Sequence, residues 1–425
     1  LCHILCCRYA PDAQNAPSPT GTKIQVKQML DRRLRRQIGK EYMIGQYRKT
    51  LVNLKEKLNY LHDNLNDYAA LLNLQLEIIE NIKKIEYRIR KLKQNNKDAT
   101  KGQIALSVFK SFGDGIAFSY LDTHNLKQMS YDTETLMPKN DSGFISDKLG
   151  FDNELQILKE IISKNIPCVL CDITNSLRYG DIVILVGPDP YIIECKTSNT
   201  KSGRNSRQKN KLMSLAEYYS TDKKKIKHGT IDVARTNLMN APKRYVDDLN
   251  QLIDIAQKEQ SASKQIERGL YYFVFKNTAN ISTEMSKYRI REAFPFFLNS
   301  YKEDRTWLSY IPYVLLIGNS NNLVDFITGK IIVVIIVDVH EINKISQKLG
   351  LKFETNERSE NPFEFYKFEK DEKEASGMFA LSYHYITRVG IEAVSLEWLI
   401  NNADHMFFKK KDLLCCKSSS SHTSN

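Results

Sequence analysis

Between Gln46 and Lys101 the chain contains neither Gly nor Pro, and apolar residues recur alternately three and four apart at Leu51, Leu54, Leu58, Leu61, Leu65, Tyr68 and Leu72. That spacing draws one apolar stripe along a helix, as a coiled-coil seam requires. The stripe continues through Ile79, Ile82, Ile85, Ile89 and Leu92 after a phase slip that would disturb a seam. The stretch "HDNLND" at 62–67 is a place where such a helix can fold back into a hairpin. Lys and Arg exceed Asp and Glu here, so residues 23–102 read as a basic helical coiled-coil arm. Residues 1–22 and 411–425 lack periodicity and read as disordered tails. "NNKDATKG" (95–102) is a linker, and 103–150 a connecting region.

From Phe151 the pattern shortens. "DNELQILKEIISKN" predicts a helix with Asp152 as its N-cap. "IPCVLCDI", "GDIVILVG" and "YIIECKT" predict three strands, "RQKNKLMSLAEYYS" (207–220) a helix with Leu212, Leu215 and Tyr219 on its apolar face, and "GLYYFVFK" (269–276) a strand. "APKRYVDDLNQLIDIAQ" supplies a further helix before that last strand. Residues 277–410 form a C-terminal α/β extension in which "YVLLIG" and "KIIVVIIVDV" are expected strands. The fold class is therefore α/β, with an αβββαβ core over 151–276. The longest apolar run, Ile331 to Val337, is far too short to span a membrane, and no membrane association is expected.

Charge and cysteines narrow the partner class. The formal net charge of +12 favours a polyanion such as nucleic acid. Of the eight cysteines, Cys6–Cys7 and Cys415–Cys416 lie in the tails, and Cys168 and Cys171 form one CxxC with no second pair in range. Two cysteines along a buried strand fit better than zinc, and a reducing, cytoplasmic location is expected. The chain starts at Leu, so upstream sequence is expected, and "LCHILCC" lacks the basic start of a signal peptide.

Candidate chemistry gathers at "RYGDIVILVGPDPYIIECKTSNT" (178–200). A hairpin loop centred on Pro188–Asp189 pairs residues whose numbers sum to 377. Asp181 then faces Lys196, Val183 faces Glu194, and the three charged side chains project from one face. Two carboxylates beside an ammonium can hold Mg²⁺ and orient a water for phosphodiester hydrolysis. A cross-strand ion pair with one spare acid would also account for them, at about 1 kcal/mol at most. Glu154 lies on the inward side of its helix with Leu158 and Ile161, as a metal partner or a helix-dipole acid. Gln208 shares a face with Leu212, Leu215 and Tyr219, and so points at the sheet or caps the first turn.

The order Glu154, Gly180-Asp181, Glu194-Cys195-Lys196, Gln208, on helix–strand–strand–strand–helix, resembles the PD-(D/E)XK nuclease superfamily. The resemblance covers residues 151–276 and lacks a proline directly before Asp181. It implies that Asp181 and Glu194 are metal ligands, Glu154 an auxiliary ligand, Lys196 the catalytic lysine and Gln208 a positioning residue. It also implies Mg²⁺ (or Mn²⁺) as cofactor, and a phosphodiesterase leaving 5′-phosphate and 3′-hydroxyl ends. After Lys196, "KTSNTKSGRNSRQKNK" interleaves positive charge with Gly, Ser and Asn. Lys201, Arg204, Arg207, Lys209 and Lys211 are the expected phosphate contacts on a mobile loop. The expectation is an endonuclease acting on nucleic acid, DNA rather than RNA, in genome defence or mobile-element biology. Dimerisation through the arm would supply two active sites for a duplex. The alternative is a catalytically silent nuclease-fold protein that binds nucleic acid or scaffolds through its coiled coil.

Overall fold

The apolar stripe of the first helical region is covered by the chain itself. The computed structural model describes residues 44–132, 139, 143–195, 203–226, 231–235, 238–276, 281–301, 307, 310–356, 359, 361–369 and 374–409. Both expected tails, and residues 23–43 of the arm, lie outside them. Helix α1 (Arg48–Asp63) stops at Asn64, the chain turns, and α2 (Tyr68–Gln94) starts at Asp67, whose carboxylate accepts the Ala70 N–H at 2.9 Å. The fold-back therefore falls within "HDNLND". A third helix, α3 (Thr100–Tyr120), completes the group and buries Phe109, Phe112 and Ile116. It occupies much of what the sequence marks as a connecting region. The missing apolar periodicity is the reason it is hard to see: α3 is buried on nearly all sides from Val108 to Ala117.

Leu51, Leu54, Leu58 and Leu61 are wholly buried against α2, α3 and α7 (Ser320–Thr328). The stripe thus packs within one chain, and the surface assigned to a second copy is already used. The helices are also continuous with the rest of the core. Lys55 sends its ammonium to the Val314 carbonyl at 2.6 Å, and burial pulls its pKa down to about 8. Gln75 on α2 donates to the Cys168 carbonyl at 2.9 Å and accepts the Leu170 N–H at 3.1 Å. It thereby satisfies the outward backbone groups of β1, which would otherwise be an unpaired buried edge.

That strand, β1 (Cys168–Leu170), forms an antiparallel sheet with β2 (Ile182–Ile184) and β3 (Tyr191–Ile193) in the order β1-β2-β3. It is preceded by α4 (Phe151–Ser163) and followed by α5 (Gly203–Thr221), the expected helix–strand–strand–strand–helix order. Helix α4 is entered through Gly150 at φ 93°, so Asp152 lies in the first turn and does not cap it. Helix α5 begins before the expected start and takes in Arg204 and Arg207, which therefore lie on a helix, not on a mobile loop. It leads into a hairpin of β4 (Lys223–Ile226) and β5 (Ile231–Ala234).

The expected closing strand goes elsewhere. After α6 (Val246–Glu259) come β6 (Ser261–Glu267), β7 (Leu270–Lys276), β8 (Ala293–Phe297) and β9 (Ile331–Asp338), in an antiparallel sheet of order β6-β7-β9-β8. "GLYYFVFK" is β7, paired on both sides there, and among the described residues it does not pair with β1–β3. Buried aromatic and β-branched residues on both faces of β7 and β9 make each other the natural partners. "YVLLIG" is a single helical turn, Tyr313–Leu316, started by Pro312, whose carbonyl accepts the Leu315 and Leu316 N–H groups. Helix α8 (Val339–Lys348) follows β9 and is capped by Asp338. The sheet β10 (Leu351–Thr355), β11 (Phe363–Lys367) and β12 (Gly377–Leu381), then α9 (Leu396–Asp404) and a π-helical turn His405–Lys409, end the described fold. The protein is a mixed α and β structure whose described strands all pair antiparallel.

Candidate active site

Strands β2 and β3 pair Ile182 with Ile193, Val183 with Ile192 and Ile184 with Tyr191. These numbers sum to 375, not the expected 377, because the connecting loop is centred one residue earlier. Asp181 consequently sits at the level of Glu194 and Cys195, where a loop centred on Pro188–Asp189 would have placed Lys196. Regular pairing ends there: the Asp181 N–H bonds the Ile193 carbonyl at 2.9 Å. Gly180 turns the chain into the strand at φ 73°, and a Cβ on it would meet Ile192 Cγ2 at 2.3 Å and the Ile193 carbonyl oxygen at 2.8 Å. Only glycine fits both restraints.

Asp181 is buried, and its two carboxylate oxygens have separate tasks. Oδ2 accepts the Cys195 N–H at 2.8 Å, which latches the end of β3 to the start of β2. Oδ1 accepts from the Lys148 ammonium at 2.8 Å. The same ammonium lies 2.7 Å from Asp172 Oδ2 and 2.8 Å from Glu154 Oε2. Three carboxylates from three elements thus meet at one cation. Glu154 comes from the first turn of α4, Asp172 from the short 3-10 turn Cys171–Ile173 after β1, and Asp181 from the entry to β2.

The charges are mutually dependent. Burial pushes the Glu154 carboxyl up to about 7; Lys148 opposes this, while Asp181 and Asp172 add to it. Burial works against the Lys148 ammonium, but the three carboxylates outweigh it and hold its pKa above the ordinary value. Cys195 is raised to about 11 and Cys168 to about 12, both chiefly by burial, so they are thiols at neutral pH. Cys171 is raised too, and its thiol donates to the Tyr179 carbonyl at 3.3 Å. The CxxC is structural.

Side chains from α3 and from the segment around Tyr131 fix the loop from Cys171 to Asp181. Asp114 on α3 is buried and accepts the Asn175 N–H at 2.9 Å, the Ser176 N–H at 2.8 Å and the Ser176 hydroxyl at 2.6 Å. Gly113 allows the approach, since a Cβ there would lie 2.1 Å from the Ile173 carbonyl oxygen. Tyr179 is buried with its hydroxyl on the Tyr131 carbonyl at 2.7 Å. Lys139 covers the Tyr179 ring at 3.8 Å and donates to the Arg178 carbonyl at 2.5 Å.

The structure therefore brings Glu154 and Asp181 to the same ammonium, that of Lys148. Glu194 is half-buried just past β3, within electrostatic reach of Lys139 and Cys195. Lys196 and Lys201 lie outside the described residues, as do the side chains of Arg204, Arg207 and Gln208. Lys209 is exposed on α5. Lys211 is half-buried and paired with Asp132 at 2.5 Å, so its charge is balanced within the chain.

Asp172 and Lys148 are the members that sequence patterning missed. No family model, curated protein or solved structure matches this chain. The site has to be judged on its own chemistry. Among the described residues no group of three or more His, Cys, Asp or Glu side chains stands ready to hold a metal ion. The carboxylates of Glu154, Asp172 and Asp181 instead surround an ammonium. Their hard oxygen donors are of the type that suits Mg²⁺ or Mn²⁺. Among the described residues no helix is long and apolar enough to cross a membrane.

Proposed function

We propose that the protein is a Mg²⁺- or Mn²⁺-dependent endonuclease with Glu154, Asp172 and Asp181 at its centre. The observation that carries this reading is the convergence of three buried carboxylates on one cation beside the Gly180-Asp181 turn. The helix–strand–strand–strand–helix order and the sequence resemblance to PD-(D/E)XK nucleases support it, although the expected fourth strand lies in another sheet. A bound divalent cation would polarise a phosphate oxygen and lower the pKa of a water. Asp181 is oriented for ligation by its bond to Cys195, and Asp172 is brought beside it by the Cys171 N–H, which bonds the Asp181 carbonyl at 2.9 Å. Glu154, from the first turn of α4, would complete the set of oxygen donors. Lys196 keeps the role of acting on the attacking water, Glu194 that of a metal ligand and Gln208 that of a positioning residue, on sequence grounds. The excess positive charge, including Lys209 on α5, favours a nucleic-acid substrate, and DNA is the substrate we assign.

The same ammonium favours a second reading. A carboxylate cluster already paired to a lysine can be a structural hub, and the protein would then be a silent nucleic-acid-binding relative of a nuclease. A cleavage screen separates the two: purified protein with duplex, single-stranded and branched DNA and with RNA, in Mg²⁺ or Mn²⁺ against EDTA. The nuclease reading expects metal-dependent cleavage of at least one substrate. Binding without cleavage in every arm would support the hub.

A further inference from the structure

The position at the centre of the three carboxylates is held by a side chain that can leave it. We propose that the Lys148 ammonium is a built-in occupant of the divalent-cation position and that a metal ion binds by displacing it. This rests on the proposed nuclease reading of the site and adds its regulation.

Three observations carry it. First, the ammonium makes contacts of 2.7 to 2.8 Å with Glu154, Asp172 and Asp181, so the oxygens that would bind a metal are the ones it occupies. One positive charge among three carboxylates leaves excess negative charge, which a dication offsets better than an ammonium does. Second, the segment bearing Lys148 is anchored on both sides, and Lys148 itself is held by its backbone alone, its N–H on the Ile145 carbonyl at 3.2 Å and its carbonyl on the Phe151 N–H at 3.3 Å, which leaves its side chain able to swing. Before it, the Ile145 and Ser146 N–H groups both bond Glu86 of α2 at 3.0 Å, and Asp147 pairs with Arg90 at 2.6 Å. After it, Gly150 at φ 93° starts α4. Between these anchors Leu149 is 95% exposed, so no apolar packing holds the tip of the turn. Third, the Lys148 side chain is 29% exposed, against 4% and 11% for the carboxylates it touches. Its flexible stem has a route to solvent that its partners lack.

Displacement also has a use. An ammonium leaving the carboxylates stays beside them on its stem, where an incoming phosphate would meet it. Metal loading and substrate docking would then assist one another, since the lysine exchanges one anionic partner for another.

The test is a Mn²⁺ titration of wild type and Lys148→Met by calorimetry. Lys148→Met is expected to bind Mn²⁺ at least tenfold more tightly, and adding Asp181→Asn to it should abolish the gain. Equal or weaker Mn²⁺ binding by Lys148→Met would overturn the proposal. Should that variant fold poorly, wild type alone decides by amine acylation read by mass spectrometry. Lys148 should be protected without metal and become reactive with Mn²⁺; unchanged labelling on saturation with Mn²⁺ would also overturn it. The two levels fail separately. Tight Mn²⁺ binding by Lys148→Met with no cleavage of any nucleic acid would keep the occupant and end the nuclease reading. Mg²⁺-dependent cleavage by wild type with no effect of Lys148→Met on metal affinity would do the reverse.

Discussion

Asp181 Oδ2 accepts the main-chain N–H of Cys195 at 2.8 Å while its Oδ1 holds Lys148, so one carboxylate joins two strands and a cation site. The two tasks can be separated. Asp181→Asn keeps an oxygen for the Cys195 N–H, whereas Asp181→Ala removes it. We expect Asp181→Ala to cost about 1–3 kcal/mol of stability, because a buried donor loses its partner, and Asp181→Asn to cost less. Both should lose Mg²⁺-dependent activity. Chemical denaturation beside a cleavage assay checks this, and equal stability of the two variants would refute the latch.

The metal-free protein should carry a pH signature of Glu154. Its folded pKa, pushed up to about 7, stands above the ordinary carboxylate value, so the folded state binds the extra proton. That contribution to stability is full below the ordinary value and is lost as pH rises through about 7. Glu154→Gln is always neutral and lacks this loss. Its stability relative to wild type should therefore rise between pH 5 and pH 8, by an amount on the order of 2–3 kcal/mol. Denaturation at several pH values in EDTA measures it; a difference independent of pH would contradict the raised pKa.

Gly180 should tolerate no side chain. Ala at φ 73° is strained, and its Cβ would press on Ile192 and the Ile193 carbonyl. Gly180→Ala is expected to lower stability by about 2 kcal/mol or more and to displace Asp181 from Cys195. Wild-type stability in this variant would rule out the turn as drawn.

The legible part of this fold was its local periodicity. The Leu stripe of α1 and the apolar run of β9 both lie where their patterns place them, because each element carries its own period. Pairing was less legible. The hairpin register slipped by one residue in its loop centre, which moved the partner level of Asp181 from Lys196 to Glu194 and Cys195. Asp172 reaches Asp181 through the β1–β2 pairing, and the loop from Cys171 to Asp181 is too long for a register to be counted across it. Lys148 gives no local sign at all: a lysine in a turn becomes central only when α4 and β1 have folded around it. Likewise "GLYYFVFK" reads as a strand, but nothing in it says which sheet it joins.

The helical arm should prove inseparable from the core. Gln75 satisfies both a buried carbonyl and a buried N–H of β1, so Gln75→Leu orphans them together. A loss of roughly 2–4 kcal/mol follows if each buried group costs about 1–2 kcal/mol. Thermal or urea unfolding followed by two probes should show a single transition shifted as a whole. A near-neutral effect of Gln75→Leu would mean that α2 does not support the sheet.

The most direct measurement is the rate of plasmid cleavage in Mg²⁺ by wild type and by Asp172→Asn, the carboxylate that only the structure revealed. Wild type should cleave, with EDTA abolishing the reaction, and Asp172→Asn should remain folded while losing at least a hundredfold in rate, on the order of 3 kcal/mol of transition-state stabilisation. Wild-type rates from a folded Asp172→Asn protein, or no cleavage by wild type on any nucleic acid, would contradict the assignment of Glu154, Asp172 and Asp181 as one catalytic cation site.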